Sequence, residues 1–328
     1  MIINNIIGNP PYQEGNQSIY QHFINTSIKL NIERICMIVK RNWFTGNTLK
    51  ETRDNMIDYG LKDIIDYTEF YEIFPQVHST VAIFNLVRDY KDKCRYTQIV
   101  NGGITAKSEL NLKIGENILV NEERTIIDKV TKHNTFEQWS LSKNTRIFSI
   151  GSNGYFMYST YTEDIIKYSD MHDDKFNTTV FFLDGAKNVY KRYTERNKLP
   201  KGEEYIDKYK VICGSKAQDN KTVISNIHVL KPGEIMTNSF SIIGIVDSEE
   251  YANKIAKYAK TKFFRSLVKF AIAGDKIIVG DGALVYVPMI HNLKDIDFSL
   301  NTSDIDKQLY KKYELDEAEI RYIENLVN

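Results

Sequence analysis

The sequence predicts an α/β protein: an open sheet in its first third, followed by a larger mixed α/β region. Three observations carry this. Between residues 2 and 98, short apolar runs alternate with amphipathic stretches, the pattern of strands alternating with helices. With 328 residues the chain is long enough for about two domains. Its 42% hydrophobic and 26% charged residues are those of a chain with a packed core, which excludes wholesale disorder.

Taken in order, Ile2 to Ile7 reads as a short buried strand ending at Gly8. Ser18 to Asn31 carries Ile19, Phe23, Ile24, Ile28 and Leu30 at helical spacing, with Ser18 as its N-cap. Ile35 to Val39 is a second strand. Asn47 to Tyr59 is a helix with Leu49, Met56 and Ile57 facing inward and Gly60 as its stop. Leu61 to Tyr67 and Thr80 to Val87 are the third and fourth strands, and Cys94 to Val100 returns as a partner to the fourth. Asn101-Gly102-Gly103 is a turn signal, so a first unit is placed at 1–98 and a second at 99–328. In the second, a helix is expected from Glu116 to Asn134, strands at 146–160 and 177–183, and a polar, charged stretch from Lys187 to Gly202. A long helix follows over Glu249 to Phe270, and an amphipathic terminal helix over Asp316 to Val327.

Composition narrows the function. The 43 basic and 43 acidic side chains cancel, so bulk charge does not hold this protein on nucleic acid and any such binding must come from a site. Cys36, Cys94 and Cys213 lie far apart, which argues against a disulfide framework and a structural zinc site and for a reducing compartment, the cytoplasm. No apolar run is long enough to span a bilayer, and the N-terminus does not read as a signal peptide. The six histidines share no metal-ligand spacing, and no metal is expected.

The chemistry sits at the end of the first strand. Asn9-Pro10-Pro11-Tyr12 follows that strand directly, at the sheet edge where open α/β folds place their ligands. Two prolines fix the backbone and withhold two amide donors, which leaves carbonyls free to accept. The Asn9 side-chain oxygen and the Pro10 carbonyl make two converging acceptors, suited to an amine with two hydrogens, and Tyr12 offers a flat face for a ring. Asn and Pro are also ordinary turn residues, but the four-residue string in this context favours the chemical reading.

This string, after Asn5-Ile6-Ile7-Gly8, resembles the catalytic motif of the amino-group DNA methyltransferases that make N6-methyladenine. Ile19-Tyr20 with Phe23, Met37-Ile38-Val39 leading to Trp43-Phe44, and Phe74-Pro75-Gln76 before Val81-Ala82-Ile83-Phe84 are similar to the segments that follow it in that family. Thr261 to Arg265, Tyr286-Val287-Pro288 and Leu309 to Tyr313 resemble the tail of bacterial restriction-modification methylases. The resemblance implies a partial Rossmann-like methyltransferase sheet followed by a mixed α/β target-recognition region. It also implies double-stranded DNA as substrate, S-adenosylmethionine as cofactor, and an adenine extruded from the duplex. Asn9 and Pro10 would accept its amino hydrogens, with Tyr12 and Phe74 clamping the ring; Phe74 also reads as a core aromatic.

One departure is expected to matter. The family's glycine-bearing donor-binding motif lies upstream of the Asn-Pro-Pro-Tyr string, and here only eight residues precede it. Phe148 to Gly154 and Gly280-Asp281-Gly282 are poor substitutes. The strand ending at Gly8 would then be an exposed apolar edge, which another chain or segment must cover. The expectation is a split enzyme, a heterodimer whose second subunit binds S-adenosylmethionine.

Lys40, Arg41 and Trp43 follow a strand end on the same side of the sheet as Asn9, where they read equally as phosphate contacts or as a solvated loop. Lys187, Lys191, Arg192, Arg196, Lys198 and Lys201, with Tyr190 and Tyr193, suit either a DNA-facing loop or a solvated face. Lys208, Lys210, Lys216 and Lys221 extend that group. Two other classes stay open: a non-catalytic DNA-specificity module, and an RNA or protein amino-methyltransferase.

Overall fold

The computed structural model describes residues 3–15, 17–45, 48–67, 80–132, 148, 167–184, 188–199, 202–216, 222–272, 279 and 282–328. The chain divides into two compact units, residues 1–124 with 272–275 and residues 125–271 with 276–328.

In the first unit β1 (Asn5–Gly8) leads into a short ladder of β2 (Gln13–Glu14) and β3 (Gln17–Ser18), then α1 (Tyr20–Lys29) and β4 (Arg34–Lys40). Next come α2 (Lys50–Gly60), β5 (Leu61–Tyr67), β6 (Val81–Val87), β7 (Cys94–Val100) and β8 (Gly103–Leu110). They form one mixed sheet in the order β1-β4-β6-β5-β7-β8. β1 pairs with β4 and β5 with β7 in parallel, while β6 runs antiparallel to both β4 and β5. The carboxyl ends of β1, β4, β5 and β7 therefore lie along one edge of the sheet.

Alternation along each strand selects the buried face. Ile35, Met37 and Val39 of β4, Phe84 and Leu86 of β6, and Ile64 of β5 turn to one side, against Tyr20 and Ile24 of α1 and Met56 of α2. β1 stands at the edge of the sheet with Ile6 packed on this core, whereas Ile7 is 85% exposed on the other side. The expected exposed apolar edge is thus present among the described residues.

Several local expectations are corrected. Ser18 belongs to β3 and does not cap α1, which starts after Ile19 without a side-chain cap. β7 does not pair with β6; it pairs with β5 and with β8. Asn101-Gly102-Gly103 turns the hairpin between β7 and β8, so the sheet continues past it to Leu110. The helix expected from Glu116 begins later, as α3 (Asn121–Lys132), because Ile118 N–H donates to Phe44 O and holds the preceding segment against the sheet.

In the second unit β9 (Thr178–Asp184), β10 (Asn188–Thr194), α4 (Glu203–Ile206) and β11 (Tyr209–Gly214) are followed by β12 (His228–Leu230), β13 (Glu234–Met236) and β14 (Phe240–Val246). Two small sheets result, ordered β10-β9-β13 and β12-β11-β14, around Val180, Phe182, Ile212, Leu230, Ile235 and Ile242. The polar stretch after 187 is largely a strand: Tyr190 and Arg192 alternate with Lys191 and Tyr193 across β10. Of the strand expected at 146–160, only Phe148 lies among the described residues, and it is buried in this core.

α5 (Glu249–Ala259), α6 (Lys262–Ala271), α7 (Thr302–Lys312) and α8 (Glu317–Leu326) close the chain. The long helix expected over 249–270 is two helices. Thr261 ends the first by donating from its hydroxyl to Tyr258 O, and its hydroxyl oxygen accepts from Phe264 N. Asp306 of α7, almost fully buried, accepts from the Lys262 and Phe263 N–H groups at 3.0 and 2.9 Å. A carboxylate from a distant helix therefore caps α6. Asp316 caps α8 locally in a capping box with Glu319.

Lys210 overturns its expected place on a DNA-facing surface. Its side chain is fully buried, and Nζ donates to the carbonyls of Tyr205, Ile206 and Lys208 at 2.9, 2.8 and 2.6 Å, closing the end of α4. Burial pushes its ammonium down to about 8. An unfolded lysine holds its proton to about 10.4, so between these values the unfolded chain binds more protons and stability rises with pH. The expected gain across that window is about 3 kcal/mol. Burial raises the thiols of Cys94 and Cys213, which opposes this gain over the same range, so the gain is read as the difference between wild type and Lys210→Met in urea unfolding at pH 7.5 and 10.5.

Candidate functional site

The site is built where β1 and β4 end side by side. After Gly8, Asn9 is exposed, Pro10 is buried, Pro11 is exposed and Tyr12 is half-buried. No hydrogen bond engages the Asn9 side chain among the described residues. A backbone with two fixed φ angles thus presents an open amide beside a buried anchor. Tyr12 O accepts from Ile19 N at 3.2 Å, which closes the β2–β3 ladder at its base, with Gly15 at φ +55° in its turn. Burial raises the Tyr12 phenol, which stays neutral at physiological pH.

The turn after β4 is tied to this loop. Lys40 Nζ donates to Gln13 Oε1 at 2.6 Å, and Tyr20 Oη donates to Asn42 Oδ1 at 2.6 Å. The turn itself is a short 3₁₀ segment, Arg41–Trp43. From α2, Arg53 is almost fully buried and donates to Trp43 O at 3.1 Å and Glu116 O at 2.9 Å, pinning the turn from below. Arg41 Nε donates to Asp66 Oδ2 at 2.8 Å while its guanidinium lies 4.5 Å from the Phe44 ring centre. Burial disfavours the Arg41 charge, but Asp66, Glu123 and Tyr96 outweigh it and hold the group firmly cationic.

The predicted residues are therefore only partly brought together. Asn9, Pro10, Pro11, Tyr12, Lys40 and Arg41 share one edge of one sheet. Trp43 does not line that edge: its ring is fully buried, edge-on to Phe44 and Phe84. Phe74 falls in 68–79, outside the described residues. Lys191 and Arg192 lie in the second unit on opposite faces of β10. Lys191 Nζ is 3.2 Å from Glu234 Oε1 and 4.4 Å from the Phe181 ring centre; Arg192 Nε is 2.8 Å from Asp170 Oδ1. Arg196 pairs with Asp207 at 2.8 and 2.6 Å. Lys187, Lys201 and Lys221 lie outside the described residues. Gln13, Asn42, Arg53, Asp66 and Tyr96 support the site and were not singled out from sequence, whereas Tyr20 stood in a segment that resembles the family. Asp66 left a signal in the sequence, a carboxylate two positions after Ile64 and so on the same face of β5.

The site is thus a proline-fixed asparagine at the carboxyl end of the edge strand of a mixed sheet. Residues 3–74 match the family model described as Eco57I restriction-modification methylase, a segment that contains β1, β4, β5 and the Asn9–Tyr12 string. No curated protein matches the chain. Among solved structures, the type IIL restriction-modification enzyme MmeI in complex with DNA is similar in fold, with a TM-score of 0.52 at 10% identity over 98% of this chain. This chain spans 56% of that protein. A DrdV–DNA complex aligns with a TM-score of 0.38 at 13% identity, over 78% of this chain and 39% of that one. No described helix is long and apolar enough to cross a membrane.

Proposed function

We propose that this chain is the adenine-N6 methyltransferase part of a restriction-modification enzyme, acting on double-stranded DNA. The observation that carries the reading is Asn9: an exposed amide, unpartnered among the described residues, directly after β1, beside a buried proline, at the sheet edge that takes ligands. An adenine amine cannot be reached inside the stack, so the base is extruded into this crevice. There the Asn9 side-chain oxygen and the Pro10 carbonyl accept its two hydrogens. That drains density from the N–H bonds, frees the nitrogen lone pair for attack on a methyl group, and orients it. Tyr12 stacks on the ring, a contact typically worth about 1–3 kcal/mol, and Phe74 is assigned to its other face. Pro11 keeps the loop rigid.

The described residues do not fit S-adenosylmethionine: β1 is the edge of the sheet, and no described strand lies on its outer side to bring a glycine turn or an acidic residue next to Asn9. We assign the cofactor to a partner chain or a further segment that pairs with β1. Residues 1–98, with β8 completing their sheet, take the amine-activating role, and 99–328 the recognition of the target. On β10, Arg192 shares one face with Tyr190, which is exposed and stacks on Phe182. Those two are the proposed duplex contacts of that strand, and Lys191 serves the opposite face.

The test is methyl transfer from labelled S-adenosylmethionine to mixed-sequence DNA, followed by digestion to detect N6-methyladenine. The expected result is no transfer by this chain alone and transfer when the partner chain or further segment that pairs with β1 is supplied. Labelling of RNA or protein in preference to DNA, or no transfer with any partner, would sink the reading.

A further inference from the structure

The crevice holds a cation whose orientation is set from three strands. Arg41 follows β4, yet its side chain crosses the end of β6 to reach Asp66 on β5. Asp66 is fully buried, and its Oδ2 accepts both Arg41 Nε at 2.8 Å and Tyr96 Oη from β7 at 2.7 Å. A free arginine–carboxylate pair tends to form two parallel bonds. Here the pair is single: Asp66 Oδ1 has no partner, and neither terminal amine of Arg41 has one among the described residues. The Phe44 ring supports the guanidinium face at 4.5 Å. The Arg41 side chain is 18% exposed, and neither of its terminal amines is among the described buried polar atoms that lack a partner, so its amine edge is not sealed in the core. A guanidinium held at Nε and backed by a ring keeps its amine edge available, and that edge matches the paired oxygens of a phosphate.

We infer that Arg41 is an anchor for a backbone phosphate of the target strand, and that Asp66 and Tyr96 are the positioning residues that aim it. This rests on the DNA reading of the crevice and adds to it. Lys40 differs in kind: its ammonium is spent on Gln13 and holds the β1 loop in place. Asp66 fixes Arg41 through Nε, and Tyr96 fixes Asp66, so the amine edge is preset before DNA arrives. The role of the carboxylate is orientation, although its negative charge alone would oppose a phosphate.

The experiment is binding of the full chain to a short mixed-sequence duplex, followed by fluorescence anisotropy over a range of NaCl concentrations. The double variant Arg41→Gln with Asp66→Asn removes the ion pair without changing net charge or leaving a lone buried charge. It is expected to fold, as checked by circular dichroism, and to lower the slope of log affinity against log salt by about 0.9, one phosphate contact. Asp66→Asn alone is expected to lower the slope similarly, because the charge remains but its aim is lost. A steeper slope in that variant would mean that Asp66 merely neutralises Arg41, and an unchanged slope in the double variant would mean that the pair is only structural; either overturns the anchor while leaving the DNA reading intact. Absence of salt-dependent binding by the wild type would remove the DNA reading and the anchor together.

Discussion

Replacing Asn9 with alanine is expected to abolish methyl transfer while leaving the fold and DNA binding unchanged. Asn9 is exposed and holds no other group in place, so its loss should shift stability by no more than about 0.5 kcal/mol. In the proposed mechanism its oxygen acts on the reacting amine, where loss of one preorganised polar contact typically costs about 10²–10³ in rate. The comparison to make is single-turnover methylation by the partnered enzyme, wild type against Asn9→Ala, beside duplex binding of each. Equal rates would remove Asn9 from the mechanism. A parallel loss of rate and binding would give it a role in holding DNA and not in activating the amine.

The second large effect is on stability. Gly60 ends α2 at φ +128°, a backbone region that side chains avoid. A β-carbon there would meet Val87 O and stand 2.8 Å from Tyr90 N, both backbone atoms that cannot swing aside. The residue lies where α2 passes directly into β5, under the turn after β6. Gly60→Ala is expected to destabilise the first unit by about 3 kcal/mol or more, strain and displaced backbone together. Chemical denaturation monitored at Trp43, which is buried in that unit, reads this directly once the chain's other tryptophan is removed as Trp139→Phe. A loss below 1 kcal/mol would show that the α2–β5 junction rearranges.

Much of the first unit was legible because its signals are local. The β4 segment, α2 with its glycine stop, β5 and β6 follow from runs of apolar residues with a fixed period, and each observed element matches its expected span within a residue or two, apart from a later start to α2. The Asn9–Tyr12 string is equally local: two prolines determine the backbone wherever they stand, and the amide beside them is exposed. Errors arose where a pattern has two physical meanings. Trp43 beside two cations reads as a surface contact, but an indole buries more apolar area than any other side chain, and the core took it. Lys210 carried the charge of a surface residue and ended beneath a helix end, because three carbonyls there needed a donor. Outside the errors, the pairing of the β10 cations was simply not visible in the sequence, because Glu234 and Asp170 reach Lys191 and Arg192 from other segments.

The sequence by itself determined the α/β character of the first unit and the placing of the Asn9–Tyr12 string at a strand end. These depend on residue types within a few positions of one another, so covalent geometry and periodicity suffice. Only the tertiary structure decided that β7 joins β5, that Asp306 divides one expected helix into two, and that Asp66 and Tyr96 orient Arg41. Each of those joins residues from separate elements: Arg41 meets Asp66 across 25 positions, and Asp306 meets Phe263 across 43. Strand order and buried charge pairing are settled by which distant surfaces meet and by the cost of leaving a polar group without a partner, and no local pattern in the chain encodes that choice.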